Sequence, residues 1–176
     1  MDNDDMLARF RPTPRRLFRL AGELALFIAI LLAMEWFLTR DAARGQAPPL
    51  QGVLVDGRHF DLHELQGKPG LVYFWATWCP VCGAVKGNLD DLFASVPGVA
   101  VAMRSGDTQA VSTYLARERI VWPVIIDPDG LMARQWGVSG VPAVFVLDAR
   151  GQVAFVTRGY VTKAGLLVRL WLAGWR

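Results

Sequence analysis

The chain has 176 residues, is 53% hydrophobic and carries a formal net charge of +3; even with the apolar excess near its start set aside, enough remains to build the core of one ordinary domain. Its two cysteines are too few for a disulfide-stapled scaffold, so they act as a local pair or not at all.

Met6 to Leu20 holds Arg9, Arg11, Arg15, Arg16 and Arg19 and no acid. A nucleic-acid arm would have this charge, but the apolar run that follows at once makes an orientation signal the better explanation. Residues 17–38 read LFRLAGELALFIAILLAMEWFL. As a helix this stretch reaches roughly 30 Å, enough to cross a bilayer. Glu23 and Glu35 lie toward its ends, and Trp36 and Phe37 suit an interface. The expectation is a basic N-terminus (1–16) in the cytoplasm, a transmembrane anchor (17–38), a linker (39–50) and a domain (51–176) on the far side, because only Arg40 and Arg44 follow the span, beside Asp41. A cleaved signal peptide fits less well, since the apolar stretch is long and no small-x-small site follows it.

In the domain, GVLVDGRHFDL predicts two short strands around Asp56-Gly57. Gln66 to Gly70 breaks the chain before LVYFWA, a wholly apolar run that fits a buried central strand. A helix is expected from Cys79 to about Ala94, burying Val85, Leu89, Leu92 and Phe93, then a strand from Val99 to Arg104. Asp107 can cap a helix to about Arg119 with Val111, Tyr114 and Leu115 inward. A short apolar run follows Pro123, then a turn at Asp127–Gly130, a short helix from Leu131 to Trp136, the strands AVFVLD and QVAFVT about a turn at 148–151, and a closing helix from about Thr162 to Trp171. Strands alternating with helices and ending in a hairpin predict an α/β sandwich with a mixed sheet covered on both faces.

Trp78-Cys79-Pro80-Val81-Cys82 falls where an apolar strand gives way to a helix. A thiol in the first turn of a helix meets unpaired N–H groups and the positive end of the dipole, which favour thiolate. Cys79 is therefore the expected nucleophile, and Cys82, one turn on, the expected resolving thiol. His59, His63, Cys79 and Cys82 are also a zinc-type set. The histidines fall at a strand end and turn, and read better as surface residues. Trp75 should pack beside the cysteines and Trp78 flank them with a binding role; Trp122, Trp136, Trp171 and Trp175 read as core or rim.

FWATWCPVC, followed by GVSGVPAVFVLDARG, resembles the thioredoxin superfamily, and within it the membrane-anchored TlpA/ResA-like group and the suppressor-of-copper-sensitivity D-type protein disulfide oxidoreductases. The resemblance covers nearly the whole domain. It implies a three-layer thioredoxin-like sandwich, with Pro142 as a cis-proline facing the cysteines and the Val141 backbone holding an extended substrate. Trp78, Pro80, Val81, Val141 and Pro142 are then the substrate-binding set. Several positions depart from the pattern. Tyr73 stands where thioredoxin has a buried aspartate, Val85 and Ala143 where cytochrome-maturation relatives carry glutamates, and Gly87 where thioredoxin kinks its helix with proline. The usual proton acceptor for Cys82 is absent from all of them.

The expected function is protein thiol–disulfide exchange through a mixed disulfide on Cys79, in the periplasm at a bacterial inner membrane, with no cofactor beyond the Cys79–Cys82 disulfide and no metal. Partners would be protein thiols and disulfides and a membrane electron-donor protein, not nucleic acid. Tethering favours a reductase, in a copper-stress or cytochrome c maturation type of pathway; a disulfide oxidase or isomerase, or a redox-linked client-binding module, is the alternative.

Overall fold

The computed structural model describes residues 14–175. The chain divides into a leading unit ending at Leu38 and a second unit, Thr39–Arg176. In the first, helix α1 runs Pro14–Thr39, with proline in the first turn, where its missing N–H costs nothing. Phe18, Leu20, Leu24, Leu26, Phe27, Ile28, Ile30, Leu31, Leu32 and Met34 are all exposed. The expected helix is present and begins at Pro14 rather than Leu17. Among the described residues no helix is long and apolar enough to cross a membrane. The arginines at 9 and 11 and the side chains of Glu35, Trp36 and Phe37 lie outside the described residues.

The second unit is built on β1 (Gly45–Gln46), β2 (Gln51–Val53), β3 (His59–Asp61), a 3-10 turn (Leu62–Leu65), β4 (Gly70–Trp75), α2 (Pro80–Phe93), β5 (Gly98–Met103), α3 (Thr108–Glu118), β6 (Val124–Asp127), α4 (Leu131–Gln135), β7 (Ala143–Leu147), β8 (Gln152–Arg158) and α5 (Lys163–Ala173). Six strands form a mixed sheet in the order β1-β8-β7-β4-β5-β6, and β2 pairs with β3 in a separate hairpin. β4, β5 and β6 are parallel, and β7 and β8 antiparallel to their neighbours.

Every residue of β4 is buried, which is why its sequence is a continuous apolar run rather than an alternating one. Leu71, Tyr73 and Trp75 share one buried cluster with Val85, Leu89 and Leu92 of α2, Val111 and Leu115 of α3, and Leu166 and Leu170 of α5. Val72 and Phe74 point the other way, into a cluster with Leu62, Leu65, Ala133, Trp136 and Phe145. The period-two alternation of one strand thus feeds two cores, and the three-layer α/β sandwich follows.

Buried Asp148 closes the β7–β8 turn. Its Oδ1 accepts from the amides of Arg150 and Gln152, both at 2.9 Å, and its Oδ2 from the Arg150 guanidinium at 3.2 Å. Burial pushes this carboxyl up, but those amides and the guanidinium more than offset it and hold it below the ordinary value.

The stretch 39–50, expected as a linker, contributes structure. β1 pairs with β8, and Ala42 and Leu50 are buried. The physical reason is the β8 edge, whose open backbone groups take up whatever chain passes beside them; its small residues pack closely where their composition reads as flexible.

Candidate active site

The sheet register brings distant parts of the chain to one end of the domain. β4 and β5 are parallel with Trp75 beside Ala102, so the segments leaving their C-termini, 76–79 and 104–106, emerge together. β7 runs the opposite way with Ala143 beside Phe74, which delivers Pro142 to the same end. β8 sets Arg158 opposite Ala143, and the Gly159 amide donates to the Pro142 carbonyl at 2.9 Å.

Cys79 and Cys82 are joined as a disulfide with their Cα atoms 5.3 Å apart. Cys79 is the N-cap of α2, in extended backbone, with Pro80 following as the first helical residue, a placement that suits proline. The Cys79 Sγ accepts from the Cys82 amide at 3.1 Å, so the helix end aims a donor at this sulfur as a serine or aspartate cap would receive one. The Val141 carbonyl oxygen lies 3.7 Å from the same sulfur, and the Val141–Pro142 bond is cis. Both sulfurs belong to nearly buried residues, 7% exposed at Cys79 and 4% at Cys82. Around them Trp78, Pro80 and Val81 are exposed, Val141 is half-buried and Pro142 buried.

Two residues outside the sequence expectation hold the cysteine loop in place. The Thr77 amide donates to the Ser105 hydroxyl at 3.0 Å, which in turn donates to the Met103 carbonyl at 3.0 Å. The Trp78 indole Nε1 donates to the Arg104 carbonyl at 2.9 Å, so this exposed ring has a fixed orientation. Arg104 reaches that position with a φ of 48°, in the left-handed region that a non-glycine residue enters at a cost of about 1–2 kcal/mol. The signal available in the sequence was only that Arg104-Ser105-Gly106 stands at the end of an expected strand.

Tyr73, Val85 and Ala143, the positions where acids were sought, are all buried. The Tyr73 hydroxyl has no hydrogen-bond partner among the described residues, and burial, reinforced by nearby Tyr114, pushes its phenol far above the ordinary value. It keeps its proton at working pH and so offers no base to take one from Cys82. α2 is unbroken through Gly87. His59 and His63 are exposed, His63 Nδ1 lying against Asp61, and among the described residues no three His, Cys, Asp or Glu side chains converge as a metal site. Trp75, Trp122 and Trp136 are buried, whereas Trp171 and Trp175 are exposed and pack edge to face.

Residues 41–166 match the Redoxin family. The chain is 36% identical over 121 residues to a thioredoxin-like protein of Haemophilus influenzae, covering 68% of this chain and 72% of that one. It is 29% identical over 148 residues to the thiol:disulfide interchange protein DsbE of Escherichia coli, covering 75% and 80%. Among solved structures, a thioredoxin-family thiol:disulfide interchange protein of Chlorobium tepidum superposes with a TM-score of 0.62 at 32% identity, over 76% of this chain and 98% of that one. With the disulfide at the start of α2 and the thioredoxin-like sheet around it, these likenesses establish that the chain belongs to the Redoxin family as a thioredoxin-like protein-disulfide oxidoreductase.

Proposed function

We propose that the chain is a membrane-anchored reductase of protein disulfides, working in the periplasm with Cys79 as nucleophile and Cys82 as resolving thiol. The observation that carries the chemistry is the position of Cys79 Sγ, between the Cys82 amide at 3.1 Å and the Val141 carbonyl beside cis-Pro142. In the reduced protein the Cys79 thiolate attacks one sulfur of a substrate disulfide. The substrate S–S bond breaks, its second sulfur leaves as thiolate and takes a proton, and a mixed disulfide remains on Cys79. Cys82, as thiolate, then attacks the Cys79 sulfur, expelling the other substrate thiolate and forming the Cys79–Cys82 disulfide. Two electrons pass from the dithiol to the substrate. No cofactor takes part; a dithiol donor protein in the membrane regenerates the pair by the reverse exchange.

The Val141 backbone and Pro142 dock an extended stretch of substrate by strand-like pairing, with Trp78, Pro80 and Val81 forming the apolar rim. Since Tyr73 holds its own proton and Val85 and Ala143 are apolar, the Cys82 proton leaves to water. The apolar run of residues 24–34 and the five arginines that precede it in the sequence support anchoring, with the domain on the periplasmic side. The replaced acids weigh against a cytochrome-maturation role and leave copper-stress thiol management as the pathway this reading favours. Equilibration with glutathione, read by alkylation of the free thiols, tests the direction: a reductase should lie nearer thioredoxin at about −270 mV than DsbA at about −120 mV. A value at the oxidising end overturns the reductase reading while leaving the exchange chemistry in place.

A further inference from the structure

Arg158 ends β8 on the far side of Pro142 from the cysteines, and its guanidinium is tied to the loop that leads into the cis bond. One arm donates from Nη1 to the Ser139 hydroxyl at 2.7 Å, the other from Nη2 to the Gly137 carbonyl. The next residue, Gly159, donates its amide to the Pro142 carbonyl at 2.9 Å. Residues 137–142 are therefore held at both ends by Arg158 and Gly159, at the end of β8. The outer side of that loop is closed as well, because the Ala43 amide donates to the Trp136 carbonyl at 3.0 Å. A Cβ on Gly137 would stand 1.8 Å from the Asp41 carbonyl oxygen. Asp41 also provides a negative charge that favours the Arg158 cation against its partial burial. A guanidinium suits this place because its planar fork reaches two acceptors with one geometry, which an ammonium does not.

We propose that Arg158 is a positioning residue for substrate docking: its fork fixes the Gly137–Val141 loop so that the Val141 backbone faces Cys79, and thereby sets the affinity for extended polypeptide without touching either sulfur. The proposal rests on the reading that Val141 and Pro142 dock the substrate backbone. It assigns the residue a role in polypeptide recognition that a small disulfide, which needs no strand-like pairing, does not call upon.

The test uses the full chain, kept reduced through turnover by excess dithiothreitol whose uncatalysed rate is subtracted, with insulin as the polypeptide disulfide and glutathione disulfide as the small one. Arg158→Lys keeps the charge and loses the fork, and Ser139→Ala removes one acceptor while leaving Arg158 itself in place. Arg158→Lys should raise KM for insulin about tenfold with kcat within about twofold, the pattern of lost binding common to ground and transition states. Ser139→Ala should raise it about threefold, in the same sense. KM for glutathione disulfide and the reduction potential should move by less than the insulin effect in both variants. An insulin KM that stays at the wild-type value in Ser139→Ala and in any folded Arg158→Lys protein overturns the proposal. So does an equal loss on both substrates. A wild-type chain that reduces glutathione disulfide but not insulin overturns instead the docking reading beneath it.

Discussion

At Cys79 two neighbours act on the sulfur in opposite senses. The Cys82 amide at 3.1 Å stabilises a thiolate, whereas the Val141 carbonyl at 3.7 Å would accept from a thiol. The amide is closer and adds to the helix dipole, so it should win. Alkylation rates of the reduced protein against pH should give a Cys79 midpoint below the ordinary value of about 8.5, and a midpoint at or above it would contradict this. Tyr73 is a second residue whose role can be isolated. Tyr73→Phe removes a buried hydroxyl that has no partner among the described residues and keeps the ring, so stability should hold or rise by about 1 kcal/mol with disulfide exchange retained. A resolving step slowed in this variant would show that the hydroxyl handles the Cys82 proton. Asp148 sets a pH dependence. Its carboxyl lies below its ordinary value in the folded state, so folding favours the ionised form. Its contribution is full above the unfolded value of about 3.9 and is lost as pH falls through the lower folded one. Asp148→Asn should lower the urea midpoint at pH 7, and the gap from wild type should close toward pH 2; a constant gap would refute the assignment.

Among the elements, those delimited by local chemistry were legible in the sequence. The apolar run of β4, the Asp107 cap of α3, whose Oδ1 accepts from the Ala110 amide at 2.8 Å, and the turn at Asp148 all carry their signals within a few residues. β1 was not legible. Gly45 and Gln46 have no strand preference, and pair only because β8 offers an open edge. For the site, the cysteines and Pro142 stand in motifs, but Arg104, Ser105 and Arg158 matter through sheet register, which brings residues 19 to 28 positions apart into contact and leaves no local trace. Gly137 shows the same dependence. With φ at 66° and the Asp41 backbone against it, Gly137→Ala should cost at least about 2 kcal/mol by thermal or urea unfolding. A loss under about half a kcal/mol would mean that the 41–43 segment is not held against this turn.

For the whole molecule, the anchor and the chemistry are separable predictions. Alkaline extraction of membranes from cells making the full chain should leave it in the pellet, and its release would remove the anchoring proposal without touching the redox site. The chemistry rests on the cysteine pair alone, in a domain whose sheet topology gathers the loops after β4 and β5 and before β7 around one disulfide. Trapping the mixed disulfide tests that most directly. Reduced Cys82→Ser protein mixed with insulin and quenched in acid should give a covalent adduct on Cys79, resolved by reducing agent. Cys79→Ser should give no adduct and no insulin reduction. Full insulin reduction by Cys79→Ser, or an adduct that forms without Cys79, would contradict the exchange mechanism.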